Sequence, residues 1–361
     1  MYSTIFSFKE TLNRRAHIQA HPDWTVDDLL REPYAIFSEL TDVQLEQLAQ
    51  RAQSITTQRF GHMMRFFIPL YLSNECFNNC TYCGFSYDRK IDRYTLTDQE
   101  INDNVDLLVN KGFQHLLLLT GESAKNVDMT YFKHVLPIIR PKVAQLGMEV
   151  QPLSIDDYSE LISLGLDSVT VYQETYQKDH YMMHHLSGKK RRFEYRLDTA
   201  DRAAIAGVFR INIGALFGLS DWVFDAIALV DHLNYLYQSY WKTQFSISFP
   251  RITSIFDSTR TLWPVSDRQL VQLVCAFRCL FPDLGITLST RESASLRDGL
   301  IHLGVTDMSA ESMTSPGAYA GIDAEPQFSI SDKRSLNEIK AVLLTKGFDT
   351  VVKDWDLSLH Q

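Results

Sequence analysis

Cys76-Phe77-Asn78-Asn79-Cys80-Thr81-Tyr82-Cys83, followed at once by Gly84-Phe85, packs three cysteines into eight residues of a 361-residue chain. The CxxxCxxC spacing suits a 4Fe-4S cube held by the thiolates of Cys76, Cys80 and Cys83. A cube has four irons, so a loop offering three sulfurs leaves one iron open to a small molecule, whereas an electron-transfer site usually supplies a fourth cysteine. An open iron implies chemistry at the metal. Zinc is the alternative reading, but structural zinc takes four protein ligands, commonly as two separated pairs, and no second CxxC pair follows. The other two cysteines, Cys275 and Cys279, sit in an apolar helical stretch where buried thiols are expected.

Hydrophobic content of 45% and charged content of 22% are those of a soluble globular enzyme. A formal net charge of -9 argues against a broad phosphate-binding surface, and so against nucleic acid as a partner. Five cysteines, three of them in one loop, suit a reducing cytosol rather than a disulfide framework. The start, Met1-Tyr2-Ser3-Thr4-Ile5-Phe6, lacks the basic residues and apolar run of a secretory signal. No apolar segment is long enough to span a bilayer. A cytoplasmic location without membrane association is expected.

Working outward from the cysteine loop, apolar or β-branched runs alternate with amphipathic stretches. Strands are expected at 65–72, 115–119, 148–153, 168–172, 210–216, 245–249, 285–288 and 306–309. Capping boxes at Thr25/Asp28, Thr97/Glu100, Ser154/Asp157, Ser266/Gln269 and Ser335/Glu338 open helices between or around them. Eight strands interleaved with helices predict an α/β fold, a (β/α)8 TIM-type barrel. The expected organisation is an N-terminal helical extension over 1–60, the barrel over 61–312, and a C-terminal extension over 313–361 that packs on it.

Barrel loops gather around one mouth at the C-terminal strand ends, and reactive groups belong there. Polar residues or glycines end nearly every expected strand: Tyr71, Ser73 and Asn74; Thr120, Gly121 and Glu122; Gln151; Gln173 and Glu174; Gly214 and Gly218; Pro250 and Arg251; Ser289 to Glu292; and Ser309. Bland readings accompany these. Gly121-Glu122-Ser123 also reads as a strand-to-helix turn, Arg196 as an exposed helix charge beside Lys189 to Arg192, Tyr71 as barrel core, Ser309 as a strand-end hydrogen bonder, and Arg291 as half of a salt bridge with Glu292.

The cysteine spacing, the Tyr82 just before Cys83 and the Gly121-Glu122 pair resemble the radical S-adenosylmethionine enzymes. That resemblance implies that the open iron binds the amine and carboxylate of S-adenosylmethionine, whose sulfonium is cleaved to a 5'-deoxyadenosyl radical. It also implies a cofactor-binding set of Tyr82, Gly121, Glu122, Gln151, Glu174 and Arg196. Gly121 would let backbone approach the cofactor, Glu122 would accept from its ammonium, and Arg196 would pair its carboxylate.

Longer strings narrow the resemblance: Tyr71-Leu72-Ser73-Asn74, Gln151-Pro152-Leu153, Val171 to Tyr176, Gly218 to Trp222, Phe249-Pro250-Arg251, Leu288 to Glu292, Met308-Ser309-Ala310 and Lys353-Asp354-Trp355. Over about residues 60 to 357 they are similar to the tyrosine lyases of bacterial thiamine biosynthesis, the 2-iminoacetate synthases. The resemblance implies cleavage of the Cα–Cβ bond of L-tyrosine to 2-iminoacetate and p-cresol, with a thiazole synthase as partner and a flavodoxin or ferredoxin as reductant. Arg291 is the candidate clamp for the substrate carboxylate, since a planar guanidinium binds a carboxylate through two parallel hydrogen bonds. Resemblance to the related tryptophan lyase implies that Tyr71 and Ser309 complete the pocket. Where that family usually reads Ser-Ala-Gly-Ser and Pro-Gly-Gly, this chain has Ser309-Ala310-Glu311-Ser312 and Pro316-Gly317-Ala318, which places a charge close to the expected mouth.

Rival readings are a tryptophan lyase, a deazaflavin-forming radical enzyme, a hydrogenase-maturation tyrosine lyase, whose second cluster needs late cysteines that do not follow Cys279 here, and a non-catalytic metal-binding scaffold.

Overall fold

In the computed structural model, residues 1–32, 34–252 and 263–352 are described. Eight parallel strands close a barrel: β1 (Met63–Ser73), β2 (His115–Thr120), β3 (Gln145–Glu149), β4 (Ser168–Glu174), β5 (Arg210–Ala215), β6 (Gln244–Ser248), β7 (Gly285–Leu288) and β8 (Asp307–Ser309). Closure is the pairing of β8 with β1, in the register Arg65↔Asp307 to Phe67↔Ser309. Strands enclosed by helices on one side and barrel interior on the other are apolar along their length, which is why continuous runs rather than alternation mark them. The five capping boxes form as expected, each with its reciprocal side-chain and backbone bonds.

One strand differs from expectation in a way that matters. β3 ends at Glu149, and Val150 to Leu153 form the following turn. Pro152 has no N–H to give a ladder, and the Leu153 amide bonds the Tyr158 hydroxyl instead. Shifting the strand toward the N-terminus puts Glu149, not Gln151, at its C-terminal end.

The N-terminal helices wrap the outside of the barrel. Helix Asp42–Phe60 lies along helix Asp267–Leu280, and Gln272 ties the approach by donating to the carbonyls of Ile36 and Ser38 at 2.7 and 2.8 Å. At the barrel floor the half-buried Arg65 pairs with the buried Asp307 at 3.0 Å.

The C-terminal residues reach both ends of the barrel. Residues 313–335 cross the mouth, where the amide of Gly84 donates to the Gln327 carbonyl at 2.8 Å and Thr290 O accepts from Ser331 and Asp332. The fully buried Arg297 anchors this crossing through Asp332. Helix Leu336–Thr345 then returns the chain, and the strand Asp349–Val351 pairs with the start of β1. The string Lys353-Asp354-Trp355 lies outside the described residues.

Candidate active site at the barrel mouth

The cysteine loop leaves β1 and is fixed from three sides. Its residues Asn79–Cys80 pair antiparallel with His185–Ser187, a short strand beyond β4. Arg93 donates to the carbonyls of Asn74, Phe85 and Ser86 at 2.7–2.8 Å, closing the loop from within. Gly121 closes it from below, since a Cβ there would lie 2.2 Å from the Glu75 carbonyl oxygen. Its missing side chain therefore makes room for the loop backbone. Gly84 does the same for Pro326, whose carbonyl oxygen a Cβ would approach to 2.2 Å. So held, Cys76, Cys80 and Cys83 line one cavity together with Tyr82, Gly121, Glu122, Glu174, Lys190 and Arg196.

Charged residues beside the cysteines form a closed network. Arg196 is buried, not an exposed helix charge: its Nη1 lies 3.1 Å from Glu122, its Nη2 3.3 Å from Glu174, and its Nε donates to Tyr172 O at 2.7 Å. Lys190, which sequence placed among solvated charges, sits 2.7 Å from Glu174. Burial alone would raise Glu174, but Lys190 and Arg196 hold it below the usual carboxylate range. Glu174 also takes a left-handed φ of 71°, at a register irregularity between β4 and β5. A non-glycine residue in that region costs about 1–3 kcal/mol, a strain that clusters at functional sites. Glu122 accepts a further bond from Asn78 Nδ2 at 2.7 Å. The Tyr82 hydroxyl bonds His185 Nε2 at 2.7 Å, and burial pushes that imidazole down to about 3, so it stays neutral.

The network separates the cysteine-lined cavity from a larger outer one of about 390 Å³. Gln151 faces the latter. Its Nε2 donates to Val127 O at 2.7 Å, while its buried Oε1 has no partner among the described residues.

A third cavity descends into the barrel. Its walls are largely apolar, including Phe67, Pro69, Leu117 and Val305, and Tyr71, Ser309, Arg291 and Glu149 stand at its upper part. Glu292 bonds Arg251, not Arg291, so the salt bridge weighed from sequence does not form. The Arg291 guanidinium lies over the Phe328 ring and has no carboxylate partner among the described residues. Burial lowers its affinity for protons, against the pull of Tyr71, Tyr172 and Glu149. Tyr71 donates to Gln327 Oε1 at 2.7 Å and packs edge-on against Phe85. Ser309 Oγ accepts from the Thr290 amide at 3.2 Å, so it is both a strand-end hydrogen bonder and part of the cavity wall.

Besides Lys190, three residues at the site escaped the sequence reading. Gln327 and Phe328 carry no local signal. Glu149 did: a carboxylate inside an otherwise apolar expected strand is anomalous unless it is paired or functional.

Residues 70–229 match the radical SAM superfamily, and residues 248–349 match the biotin and thiamin synthesis associated domain. The chain is 47% identical to the 2-iminoacetate synthase of Escherichia coli (strain K12), over 92% of this chain and 88% of that protein. It is 46% identical to the 2-iminoacetate synthase of Salmonella typhimurium, over 91% and 87%. The chain belongs to the 2-iminoacetate synthase family. Among solved structures, the FeFe-hydrogenase maturase HydG from Carboxydothermus hydrogenoformans superposes with a TM-score of 0.85 at 32% identity, over 91% of this chain and 79% of that one. Methylornithine synthase shares the fold, with a TM-score of 0.71 at 18% identity over 91% of this chain and 95% of that one.

As a radical SAM lyase of the 2-iminoacetate synthase family, the chain is of a kind that uses a 4Fe-4S cluster and S-adenosylmethionine. The residues present suit the cluster. Three thiols share one cavity wall, while no set of three or more His, Cys, Asp and Glu side chains among the described residues is arranged to hold a single metal ion. No helix of the described residues is long and apolar enough to cross a membrane.

The two departures from the family pattern now have a physical account. Glu311 takes φ 49°, a left-handed position that glycine occupies without strain. Its carboxylate turns away from the cavity to Lys111, at 2.6 Å, and to the Leu336 amide, at 3.1 Å, so the expected intrusion on the pocket does not occur. Gly317 keeps the left-handed turn (φ 66°), whereas Ala318 begins a 3-10 turn at negative φ and needs no glycine.

Proposed function

We propose that this chain cleaves the Cα–Cβ bond of L-tyrosine to 2-iminoacetate and p-cresol. The observation that carries the reading is Arg291, a half-buried guanidinium without a carboxylate partner among the described residues, set where an apolar barrel cavity meets the cavity lined by the three cysteines. A planar guanidinium binds a carboxylate through two parallel hydrogen bonds. An amino acid held so would direct its side chain into the apolar cavity and keep its amine at the junction.

Cys76, Cys80 and Cys83 are the proposed ligands of the cluster. Glu122, Gln151, Glu174 and Arg196, with Tyr82 and Gly121 shaping the wall, are the proposed surroundings of S-adenosylmethionine, a reading supported by Tyr82, Gly121, Glu122, Glu174 and Arg196 lining the same cavity as the three cysteines. When bound, the cluster and S-adenosylmethionine would supply radical chemistry able to take a hydrogen atom from the substrate amine. Arg291, with Tyr71 and Ser309 beside it, fixes the head group so that this atom is presented. Closure of the mouth by Gln327 and Phe328 keeps water from the reacting centre. A thiazole synthase that consumes the imine and a flavodoxin or ferredoxin reductant are the proposed partners.

The test is to supply reduced, reconstituted enzyme with tyrosine, with tryptophan and with no amino acid, and to identify the aromatic product. p-Cresol from tyrosine alone is expected. An indole product instead would reassign the substrate.

A further inference from the structure

A second half-buried charge faces the same space as Arg291. Glu149 ends β3 beside Leu119 of β2 and lines both the barrel cavity and the cysteine-lined cavity. Its carboxyl has no hydrogen bond or ion pair among the described residues. The charged and titratable groups around it are Glu174, Arg291, Arg196 and Lys190, with the hydroxyls of Tyr71 and Tyr172. Arg196 and Lys190 are already engaged by Glu122 and Glu174. Arg291 is not.

A charge largely withdrawn from water and unpaired is costly, and two of opposite sign, each without its own partner, are two costs carried together. A ligand that bears both charges one carbon apart would satisfy both. We propose that Glu149 receives the α-ammonium group of the amino-acid substrate and takes its proton, while Arg291 holds the carboxylate. This rests on the reading of the site as an amino-acid lyase and supplies the base that reading lacks. In the step, an O–H bond forms on the Glu149 carboxylate as one N–H bond of the ammonium breaks. The products are a neutral amine and a neutral carboxylic acid, and no oxidant or reductant is consumed.

The surroundings of Glu149 suit that transfer. Burial, reinforced by the charge of Glu174, pushes its carboxyl up to about 7, against the opposing pull of Arg291. A carboxyl near 7 rather than at its ordinary 4.5 makes proton transfer from the ammonium less uphill by roughly 300-fold.

The experiment compares wild type, Glu149→Gln and Glu149→Asp as reconstituted holoenzymes. Anaerobic calorimetry measures binding of L-tyrosine and of 3-(4-hydroxyphenyl)propanoate, which keeps the carboxylate and phenol but lacks the amine. p-Cresol formation is followed across neutral pH. Glu149→Gln is expected to weaken tyrosine binding at least ~10-fold and turnover at least ~100-fold. The same variant should bind the amine-free analogue as well as wild type does, or better, because a like charge has been removed. Glu149→Asp should recover part of the tyrosine affinity, and the fall in wild-type kcat/KM on the acid side of neutrality should vanish in Glu149→Gln. Equal weakening for both ligands would assign Glu149 to the phenol or to folding and overturn the proposal. Unchanged turnover would overturn it as well. Failure of wild type to form p-cresol would sink the tyrosine assignment instead, and is seen before any variant is compared.

Discussion

The guanidinium carbon of Arg291 stands 3.3 Å from the centroid of the Phe328 ring. The aromatic face orients the cation without neutralising it, so the N–H groups remain available to a carboxylate. Phe328 belongs to the segment that crosses the mouth, and closing the barrel and positioning its cation are therefore one structural act.

Arg291→Lys should retain iron, sulfide and 5'-deoxyadenosine formation yet lower p-cresol output by roughly 30- to 100-fold, the value of a lost bidentate pair. Product analysis beside an iron assay separates the two effects. Unchanged turnover would remove the carboxylate role.

Phe328→Leu should raise the KM for tyrosine about 3- to 5-fold, consistent with a cation–π contact worth about 1 kcal/mol, with little change in cluster content. Steady-state kinetics and sulfide analysis of the same preparation decide it; loss of sulfide would mean that the ring holds the cysteine loop instead.

Gly121→Ala should displace the loop, because the new Cβ would meet the Glu75 carbonyl oxygen at 2.2 Å and the Cys76 Cβ at 3.0 Å. The barrel itself is expected to survive. Far-UV circular dichroism close to wild type together with a cluster that fails to assemble is the predicted pair of results.

Glu311→Ala loses the bonds to Lys111 and Leu336 but keeps the left-handed strain, whereas Glu311→Gly loses the same bonds and relieves it. The glycine variant should therefore be the more stable of the two by about 1 kcal/mol, or roughly 2 °C in Tm. Thermal unfolding of both variants tests the sign.

Glu149 should also be visible in stability. Its folded pKa of about 7 lies above the ordinary 4.5, so between those values the folded state binds the extra proton and stability falls as pH rises through that window. Above pH 7 the cost levels off at on the order of 3 kcal/mol. Glu149→Gln is expected to raise the Tm of the apoprotein at pH 8 and to have little effect near pH 4.5. A Tm gain that does not depend on pH would mean that burial does not perturb this group.

Much of the fold is written locally. The apolar runs, the capping boxes and the cysteine spacing each depend on residues a few positions apart, and all survive in the structure. Strand ends are less local: Pro152 and the Tyr158 hydroxyl moved the end of β3 to Glu149. The network around Arg196 joins residues 22 and 74 positions apart, and Tyr71 meets Gln327 across 256 positions.

By itself, the sequence determined a barrel of parallel strands, a three-thiol loop on its first turn and the set of polar strand ends from which a site could be made. Only the tertiary structure decided which of those charges neutralise one another and which are left for a ligand. Glu122, Glu174, Arg196 and Lys190 satisfy each other, while Arg291 and Glu149 face the cavities without ion-pair partners among the described residues. The physical reason is that strand and helix signals come from neighbours in the chain, whereas the cost of a buried charge is set by what lies within a few ångströms of it in space.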